Sequence, residues 1–474
     1  MTHTCPYCNK LIENHWLYCH NCGKPLITNL DEILINKTPK LSRENPSFYS
    51  NFEEELQYDT DSIEEKEIEI KLAEIDNQLR QKELQGELMG NLLLKKASLY
   101  YSLRDFSKAI SNLQLALKNF LEEKDLSQMA ICHNEIGLIH EEEGYFDQAI
   151  YHFDEALTIL KDLKDYNKII QVLNNLGNVY YLIKDLEKAY GYYQDALTLA
   201  EENHFELDAV KSASNLVEIL FNFKDYDRIS KILKRNSEFF EKNQDIYGVI
   251  QTLIKYGKLN YFIGEVYYEE SYQHFNNALE LINSVQDRIS ASLKAKLEWE
   301  CYLYLGRLNL IWNKDELAES DLIRSLKAIR TFEVKDHINE AIILEDLAKL
   351  YLLKGDDIKS IEFLNFAIDI YKKYGDKIKI AEIKRESAKI YNKHLQNHFK
   401  ARENYEEALE IFEKLDYIKQ AAEVLNSLGD LCLDNNNFQE ASNYFKRSKL
   451  YYQDLRDQYN LDLITEKIKS LKGY

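Results

Sequence analysis

Proline is nearly absent from this sequence and is confined to one end. The four prolines are Pro6, Pro25, Pro39 and Pro46, and none follows Pro46. Because proline lacks a backbone N–H and breaks helix interiors, the rest of the chain is free to form long helices. The sequence therefore predicts a mostly helical protein.

Long apolar runs are also missing. No stretch reaches the roughly 18 apolar residues that a membrane-spanning helix needs, and residues 1–16 lack the apolar segment of a secretion signal. Three of the seven cysteines, Cys132, Cys301 and Cys432, are isolated, which is not the spacing of a disulfide framework. These absences favour a cytoplasmic protein whose isolated cysteines are buried core residues.

Clustered positive charge is lacking as well. The 60 Lys and Arg residues are outnumbered by 80 Asp and Glu residues, which gives a net charge of -20. Nucleic-acid binding depends on clusters of Lys and Arg, so nucleic acid is an unfavoured partner. The sequence also contains no Gly-rich phosphate loop, nucleophile elbow or HExxH motif, and we expect no enzymatic activity.

What the sequence does have is a repeat of about 40 residues. One small-residue position per repeat, here called the small slot, is occupied by Ala97, Gly137, Gly177, Val217, Gly257, Gly306, Ala348, Ala388 and Gly429. A second small residue and then a large apolar residue follow each slot, as Ala149 and Phe153 do after Gly137. These spacings give each repeat two helices that can pack closely. Since one hairpin cannot bury its own apolar face, about nine hairpins must stack as an all-α array.

The repeat resembles the tetratricopeptide repeat over about four fifths of the chain. Three segments reproduce that family's leucine-glycine-tyrosine and alanine-phenylalanine elements: Leu176-Gly177-x2-Tyr180, Ala149-x3-Phe153 and Ala441-x3-Phe445. The repeats exceed the usual length of about 34 residues and lack the closing proline, as in the longer-repeat subclass of kinesin light chains and of cell-polarity and bacterial regulator proteins. The resemblance implies a right-handed superhelical solenoid whose concave groove binds a peptide or protein segment.

The fourth repeat fits this pattern least well. Val217, Ile229 and Asn236 occupy its three small positions, where the other repeats mostly carry Gly, Ala or Ser. Larger side chains keep two helices further apart. The sequence therefore predicts a bend or a weak joint between residues 217 and 300.

Four cysteines near the N-terminus form two CxxC pairs. Cys5 and Cys8 make the first pair, and Cys19 and Cys22 make the second. Two such pairs supply four thiolates for one tetrahedral ion and leave no position open for a substrate. The segment resembles the short zinc ribbons of microbial proteins, which implies one structural zinc ion, with iron as the lesser alternative.

The predicted organisation is a zinc ribbon at 1–26, an acidic flexible linker at 27–61, an amphipathic capping helix at 62–90, a repeat array at 91–453 and a C-terminal capping helix at 454–474. The helix at 62–90 has one narrow apolar stripe, which also permits a short coiled coil.

Amide side chains mark a candidate groove in the early repeats. Asn134, Asn174 and Asn178 lie three residues before or one after a small slot, and Tyr181 lies four after. Each amide can donate to and accept from a peptide backbone, so these residues could clamp an extended ligand. Alternatively, they hydrogen-bond neighbouring helices.

Basic side chains occupy a similar register in the later repeats. They are Lys258, Arg307, Lys349, Arg385 and Lys389. A row of cations in a groove would favour an acidic peptide, whereas the same residues on a solvated helix face would have no ligand.

Two functions remain open. The leading hypothesis is a scaffold that binds a protein segment in its groove and carries a zinc ribbon as an accessory module. The alternative is a regulatory adaptor whose ribbon contacts nucleic acid or a transcription or translation assembly. Residues 1–26 contain few basic side chains, so this alternative predicts weak, salt-sensitive binding.

Overall fold

The computed structural model describes residues 3–4, 11–12, 61–80, 87–331 and 337–471. Within these ranges the chain forms twenty α-helices and one pair of two-residue strands, β1 (His3–Thr4) and β2 (Leu11–Ile12). The strands are antiparallel, with His3 opposite Ile12 and Thr4 opposite Leu11. The four cysteines of the predicted zinc site and residues 27–60 of the predicted linker lie outside the described residues.

The chain divides into two compact units, residues 1–297 and 298–474, here called the N-terminal and C-terminal units. The helices of the N-terminal unit are α1 (Asp61–Leu79), α2 (Glu87–Ser102), α3 (Phe106–Glu123), α4 (Leu126–Glu142), α5 (Phe146–Leu163), α6 (Tyr166–Leu182), α7 (Leu186–Glu202), α8 (Glu206–Phe223), α9 (Tyr226–Lys242), α10 (Ile246–Ile263) and α11 (Tyr268–Ser284). Short 3-10 turns lie at Glu265–Tyr267 and Gln286–Arg288.

The boundary between the units falls inside α12 (Ala291–Ile311). The remaining helices are α13 (Asp315–Thr331), α14 (His337–Leu353), α15 (Asp357–Tyr374), α16 (Lys377–Lys393), α17 (His398–Lys414), α18 (Ile418–Asp434), α19 (Phe438–Asp454) and α20 (Gln458–Ser470). No helix of the described ranges is both long and apolar enough to cross a membrane.

Aspartate caps set the start of many helices. The Asp125 side chain accepts a hydrogen bond from the backbone N–H of Gln128 at 3.1 Å, and Asp165 does the same for Lys168 at 3.3 Å. Such a cap satisfies an N–H that the helix itself leaves unpaired. The preceding residue, Lys124 or Lys164, has a left-handed backbone with φ near 60° that ends the previous helix. A short local signal therefore ends one helix and begins the next.

Each small slot holds its helix against a large ring or leucine of the next helix. A Cβ atom added to Gly177 would lie 2.5 Å from the Tyr193 ring, and one added to Gly137 would lie 2.6 Å from the Phe153 ring. Ala97 occupies the same slot in the first repeat, where it shares a buried cluster with Leu113. A small residue in the slot thus leaves room for a large side chain of the next helix.

Seven adjacent helix pairs in the described ranges pack as close hairpins: α2 with α3, α4 with α5, α6 with α7, α10 with α11, α14 with α15, α16 with α17 and α18 with α19. Within each unit, most helices otherwise contact the helices next to them in the sequence, as in a solenoid. Leu322 of α13 also packs against the Gly306 slot of α12. The number of equivalent hairpins differs from the predicted nine, and the fourth repeat is the clearest exception.

The fourth repeat explains part of that difference. Helix α8 packs more extensively on α7 than on its own partner α9, and α9 packs more extensively on α10 than on α8. The small positions of this repeat hold the larger Val217 and Ile229, both fully buried. On the other side, the Phe240 ring lies where the Cβ of residue 248 would be, because residue 248 is a glycine. Helix α9 consequently pairs with the following helix.

The ends of the array are covered by single helices. In α1, Leu72 and Ile75 are buried, and Asp76 accepts a hydrogen bond from Lys96 of α2 at 2.5 Å. In α20, Ile464 is buried in a cluster with Phe445. Helix α1 lies within the segment 62–90 apart from its first residue, Asp61, and α20 lies within the segment 454–474.

The three isolated cysteines are buried, as predicted, and burial raises the pKa of the Cys432 thiol to about 11.

Candidate functional site

The first helices of successive repeats in the N-terminal unit are joined side by side through polar side chains. Nδ2 of Asn175 in α6 donates to Oδ1 of Asn134 in α4 at 2.9 Å. Nδ2 of Asn215 in α8 donates to Oδ1 of Asn174 in α6 at 3.1 Å. Both bonds run from the residue two before a small slot to the residue three before the preceding slot. We call this recurring contact the clasp.

In the third clasp, a lysine replaces the donor asparagine and a backbone oxygen replaces the acceptor amide. Nζ of Lys255 in α10 donates to the backbone oxygen of Ser214 in α8 at 2.7 Å. Asn174 also donates to the backbone oxygen of Ile170 and to Oγ of Ser212, at 3.0 and 2.8 Å. Two of the predicted groove residues, Asn134 and Asn174, therefore bridge neighbouring first helices.

Asn178, the third predicted amide, makes a different contact. Its Oδ1 accepts a hydrogen bond from the Tyr193 hydroxyl at 2.6 Å. Burial raises the pKa of Tyr193, and the charge of nearby Glu141 raises it further. Within the described part of the chain, Nδ2 of Asn178 has no hydrogen-bond partner. This donor lies on the same helix as Tyr181, which is half-buried.

Lys258 lies in a compact ion cluster one helix further along. Nζ of Lys258 and Nζ of Lys255 each lie 3.1 Å from a different carboxylate oxygen of Glu218. Burial alone would raise the pKa of Glu218, but the two ammonium groups hold it well below its usual range. Nζ of Lys258 also lies 5.1 Å from the centre of the Phe221 ring. The predicted cation is thus already paired with a carboxylate, which it shares with Lys255.

The cations predicted in the C-terminal unit are paired in the same way. Nε of Arg307 lies 2.6 Å and Nζ of Lys349 lies 3.0 Å from oxygens of Asp346, which is buried. Arg385 and Lys389 pair with Glu423 and Glu386, both at 2.7 Å. Each predicted cation therefore has a carboxylate partner. An added acidic ligand would compete with an existing carboxylate.

Exposed apolar side chains form a further candidate surface that the sequence analysis missed. They lie at the C-terminal ends of three first helices and in the turn after α10, and we call them the apolar rim: Leu182, Ile183, Phe223, Phe262, Ile263, Val266 and Tyr267. Val266 is the most exposed, at 84%. The rings of Phe262 and Phe221 are 5.6 Å apart, so the rim continues into the first-helix row.

The rim has a recognisable sequence signal. Leu182 and Ile183 follow the Gly177 slot by five and six residues, and Phe262 and Ile263 follow the Gly257 slot in the same way. Gly264, with φ of 126°, then turns the chain into the loop that carries Val266. Only glycine adopts this backbone region readily. Apolar residues five and six positions after a small slot are therefore the sequence signal for this exposed surface.

Comparison with known proteins identifies the repeats. The tetratricopeptide-repeat family matches residues 128–202 and 379–449. A Signal Transduction ATPase with Numerous Domains protein with a tetratricopeptide repeat sensor, from Pyrococcus horikoshii, is 16% identical with a TM-score of 0.54. The match covers 82% of this chain and 56% of that one. The chain therefore contains tetratricopeptide repeats and shares the helical fold of that protein.

Two curated relatives match shorter stretches. The uncharacterized protein ycf37 of Pyropia yezoensis is 38% identical over 101 residues, which covers 21% of this chain and 53% of that protein. Protein KINESIN LIGHT CHAIN-RELATED 3 of Arabidopsis thaliana is 24% identical over 186 residues, which covers 38% of this chain and 28% of the relative. The chain thus spans about half or less of the length of these relatives.

Proposed function

We propose that this chain is a non-enzymatic scaffold that binds an extended segment of another protein along the first helices of its N-terminal unit. The observation that carries the proposal is the row of clasped first helices, which ends in an exposed apolar rim. The groove that this row would line, with the right-handed curvature implied by the family, is part of the proposal. The tetratricopeptide repeats and the helical fold support it.

Unused amide capacity would serve the backbone of the bound segment. Asn178 uses its oxygen for Tyr193 and keeps its Nδ2 group available within the described part of the chain. Asn175 donates to Asn134 through Nδ2, and its Oδ1 has no hydrogen-bond partner in the same ranges. A donor and an acceptor on one helix can bind a peptide N–H and C=O without reading its sequence.

The apolar rim would supply selectivity for side chains. The rim places exposed large apolar residues at the ends of three first helices. Groups of such residues are typical of protein-binding surfaces, and aromatic anchors contribute most to such contacts. Lys255 and Lys258 already share the carboxylate of Glu218, which leaves a single excess positive charge at this site. We therefore propose an apolar or aromatic anchor on the segment that binds the N-terminal unit.

An acidic ligand is the secondary proposal and concerns the C-terminal unit. Arg307, Lys349, Arg385 and Lys389 all lie on first helices, and each contacts a carboxylate. A ligand carboxylate could replace the carboxylate of Glu423 or Glu386, which are partly or fully exposed. Such an exchange brings little net energy, because one exposed ion pair replaces another.

The experiment is a random-peptide display selection on the full chain, followed by fluorescence anisotropy with the selected peptides. We expect Asn178→Ala to weaken binding by about 2- to 12-fold, because a lost hydrogen bond costs roughly 0.5–1.5 kcal/mol. We expect Val266→Ser to weaken it as well, through the rim. Asn119→Ala is the matched control, since Asn119 bonds only its own helix, at Leu115 O.

Two outcomes would remove the proposal. Either no peptide is enriched over a display without the protein, or the selected peptides bind Asn178→Ala and Val266→Ser as tightly as the Asn119→Ala control. Enrichment of acidic peptides whose binding is lost in a Lys349→Glu, Lys389→Glu variant would move the site to the C-terminal unit.

We also propose that Cys5, Cys8, Cys19 and Cys22 bind one structural zinc ion. The donor set supports this, because four thiolates in two CxxC pairs suit tetrahedral zinc. The pairing of Thr4 with Leu11 brings together the residues on either side of the first CxxC pair. Elemental analysis should give one zinc per chain, lost in Cys5→Ser, Cys8→Ser and kept in Cys432→Ser.

The same variants test the alternative function. Filter binding of the full chain to DNA and RNA at two salt concentrations should show no zinc-dependent binding if the ribbon serves the scaffold. Binding that disappears in Cys5→Ser, Cys8→Ser and weakens with salt would favour the nucleic-acid adaptor instead.

A further inference from the structure

Three histidines face one another between the helices of the second repeat. Nδ1 of His133 in α4 lies 3.0 Å from Nδ1 of His152 in α5. The His140 ring, also in α4, stacks on the His152 ring with centroids 5.7 Å apart and planes inclined by 24°. We call these three residues the histidine cluster. They form much of the polar contact across the α4–α5 hairpin.

Other hairpins carry aromatic rings in the same place. His140 and His152 each lie three residues after a small position, and Tyr180 and Tyr192 occupy the equivalent positions of the next repeat. The two tyrosine rings stack with centroids 5.3 Å apart and planes inclined by 10°. Tyr351 and Phe363 form a third stacked pair at these positions, so a ring pair is a recurring way to fill them. Among these three pairs, only the second repeat uses imidazoles, which titrate near neutral pH.

The cluster is built for neutral imidazoles. Burial lowers the pKa of His133 and of His140. For His152, burial and then the charges of the other two rings lower the pKa to about 4. Nδ1 of His140 is buried and has no hydrogen-bond partner within the described part of the chain. Two neutral rings can share one proton between facing Nδ1 atoms, and one imidazolium can still donate to a neutral ring, but protonation of both rings places two cations and two N–H groups face to face.

The charges around the cluster favour the protonated form of the histidines only weakly. Glu143 lies 4.0 Å from Nδ1 of His140, and the charge of Glu155 acts on His133. The remaining rings against the cluster are those of Tyr145 and Tyr151. The two acids favour protonation, but burial outweighs them, because the net pKa shifts of all three histidines are downward.

We propose that the α4–α5 hairpin is an acid-sensitive joint that opens when the histidine cluster takes up protons. Opening would move α4 and so disturb the clasp, in which Asn134 of α4 accepts a hydrogen bond from Asn175 of α6. Acidification would then weaken segment binding at the first-helix row, and this last step rests on the function proposed above. The opening itself does not depend on a ligand.

The test compares two hairpins of the same molecule. Amide hydrogen exchange of the full chain, with a chelator present and corrected for intrinsic rates, is measured near pH 5 and near pH 7.5. We expect acidification to increase exchange in α4 and α5 by about tenfold or more relative to α6 and α7, which carry the tyrosine pair. Equal changes in the two hairpins would overturn the proposal.

A double variant isolates the imidazoles from the stacking. His140→Tyr, His152→Tyr copies the Tyr180–Tyr192 pair of the next hairpin, and we expect it to lose the acid response while remaining folded. If that variant fails to fold, exchange of the imidazole C2 hydrogens in the wild type gives the pKa of each histidine directly. A His152 value at or above about 6.5 would contradict the inference.

Binding measurements separate the two proposals. A selected peptide whose affinity falls at acid pH in the wild type but not in the double variant supports the link to the groove. An acid response in exchange with unchanged peptide affinity retains the joint and removes the link. Failure to select any peptide removes the proposed function and leaves the exchange result standing.

Discussion

The Gly177 slot offers a direct test of the close packing between first and second helices. Substitution of Gly177 by alanine adds a Cβ that would lie 2.5 Å from one Tyr193 ring atom and 2.6 Å from another. The ring is nearly fully buried, and its hydroxyl is hydrogen-bonded to Asn178, so it cannot rotate away without losing that bond. We therefore expect the two helices to separate slightly.

Two opposing terms set the magnitude. Overpacking of a core costs about 1–3 kcal/mol, whereas replacing glycine by alanine in a helix interior contributes roughly 1 kcal/mol of stability. Gly177→Ala should therefore destabilise the protein by about 0–2 kcal/mol. Gly191→Ala in α7 is the matched control, because nothing lies within 4 Å of its added Cβ. Gly191→Ala should therefore be more stable than the wild type by roughly 1 kcal/mol, since it carries no overpacking cost.

The assay is hydrogen exchange of α6 and α7 together with urea unfolding. We expect the two variants to differ by about 1–3 kcal/mol, which is the overpacking term alone. A rescue variant, Gly177→Ala with Tyr193→Leu, copies the Ala97–Leu113 pair of the first repeat. Its stability should exceed the sum of the two single changes by about 1 kcal/mol or more. If Gly177→Ala proves as stable as Gly191→Ala, the Tyr193 ring does not restrict the Gly177 slot and the reasoning is refuted.

Three further predictions follow from the described contacts. Phe120→Ala should cost about 3–5 kcal/mol in urea unfolding, because the ring is fully buried and fills the space beside Gly90. Asp225→Ala should cost about 0.5–2 kcal/mol and raise hydrogen exchange at the start of α9, since Asp225 caps the Arg228 N–H; Asp227→Ala should have no such effect. The pKa of His152 is about 4 in the folded protein, where burial and the neighbouring imidazoles lower it, and returns to the ordinary histidine value of about 6.5 on unfolding. Stability should therefore fall by about 1–2 kcal/mol between about pH 6.5 and about pH 4, after allowance for partial exposure, and less in His140→Tyr, His152→Tyr.

The features predicted well from the sequence are those with a local cause. Small slots and absent prolines act within one hairpin, so the tetratricopeptide repeats and the helical fold could be predicted before any contact between repeats was known. The irregular fourth repeat also left a local trace, in Val217 and Ile229. The hairpin count failed because the pairing of α9 with α10 depends on Phe240 meeting Gly248, and nothing in the slot pattern signals that contact.

The candidate site was harder to predict because its partners lie about one repeat apart. The positions of Asn134 and Asn174 were apparent in the sequence, but their bonds to Asn175 and Asn215 depend on the offset between neighbouring first helices. The cations gave the same difficulty: Arg307 and Asp346 belong to different helices. The four-cysteine zinc site and the segment boundaries stay predictions.

The changed pairing at the fourth repeat bears on how the array should be divided. Truncations are usually placed between repeats, which here would cut α9 from α10. Helix α8 depends mainly on α7, and α9 depends mainly on α10, so such a cut would leave an orphaned helix at one fragment's end. A cut at the turn around Lys224, inside the repeat, would keep α8 with α7 and α9 with α10, and would break the contacts that Lys255 and Lys258 of α10 make with Glu218 of α8.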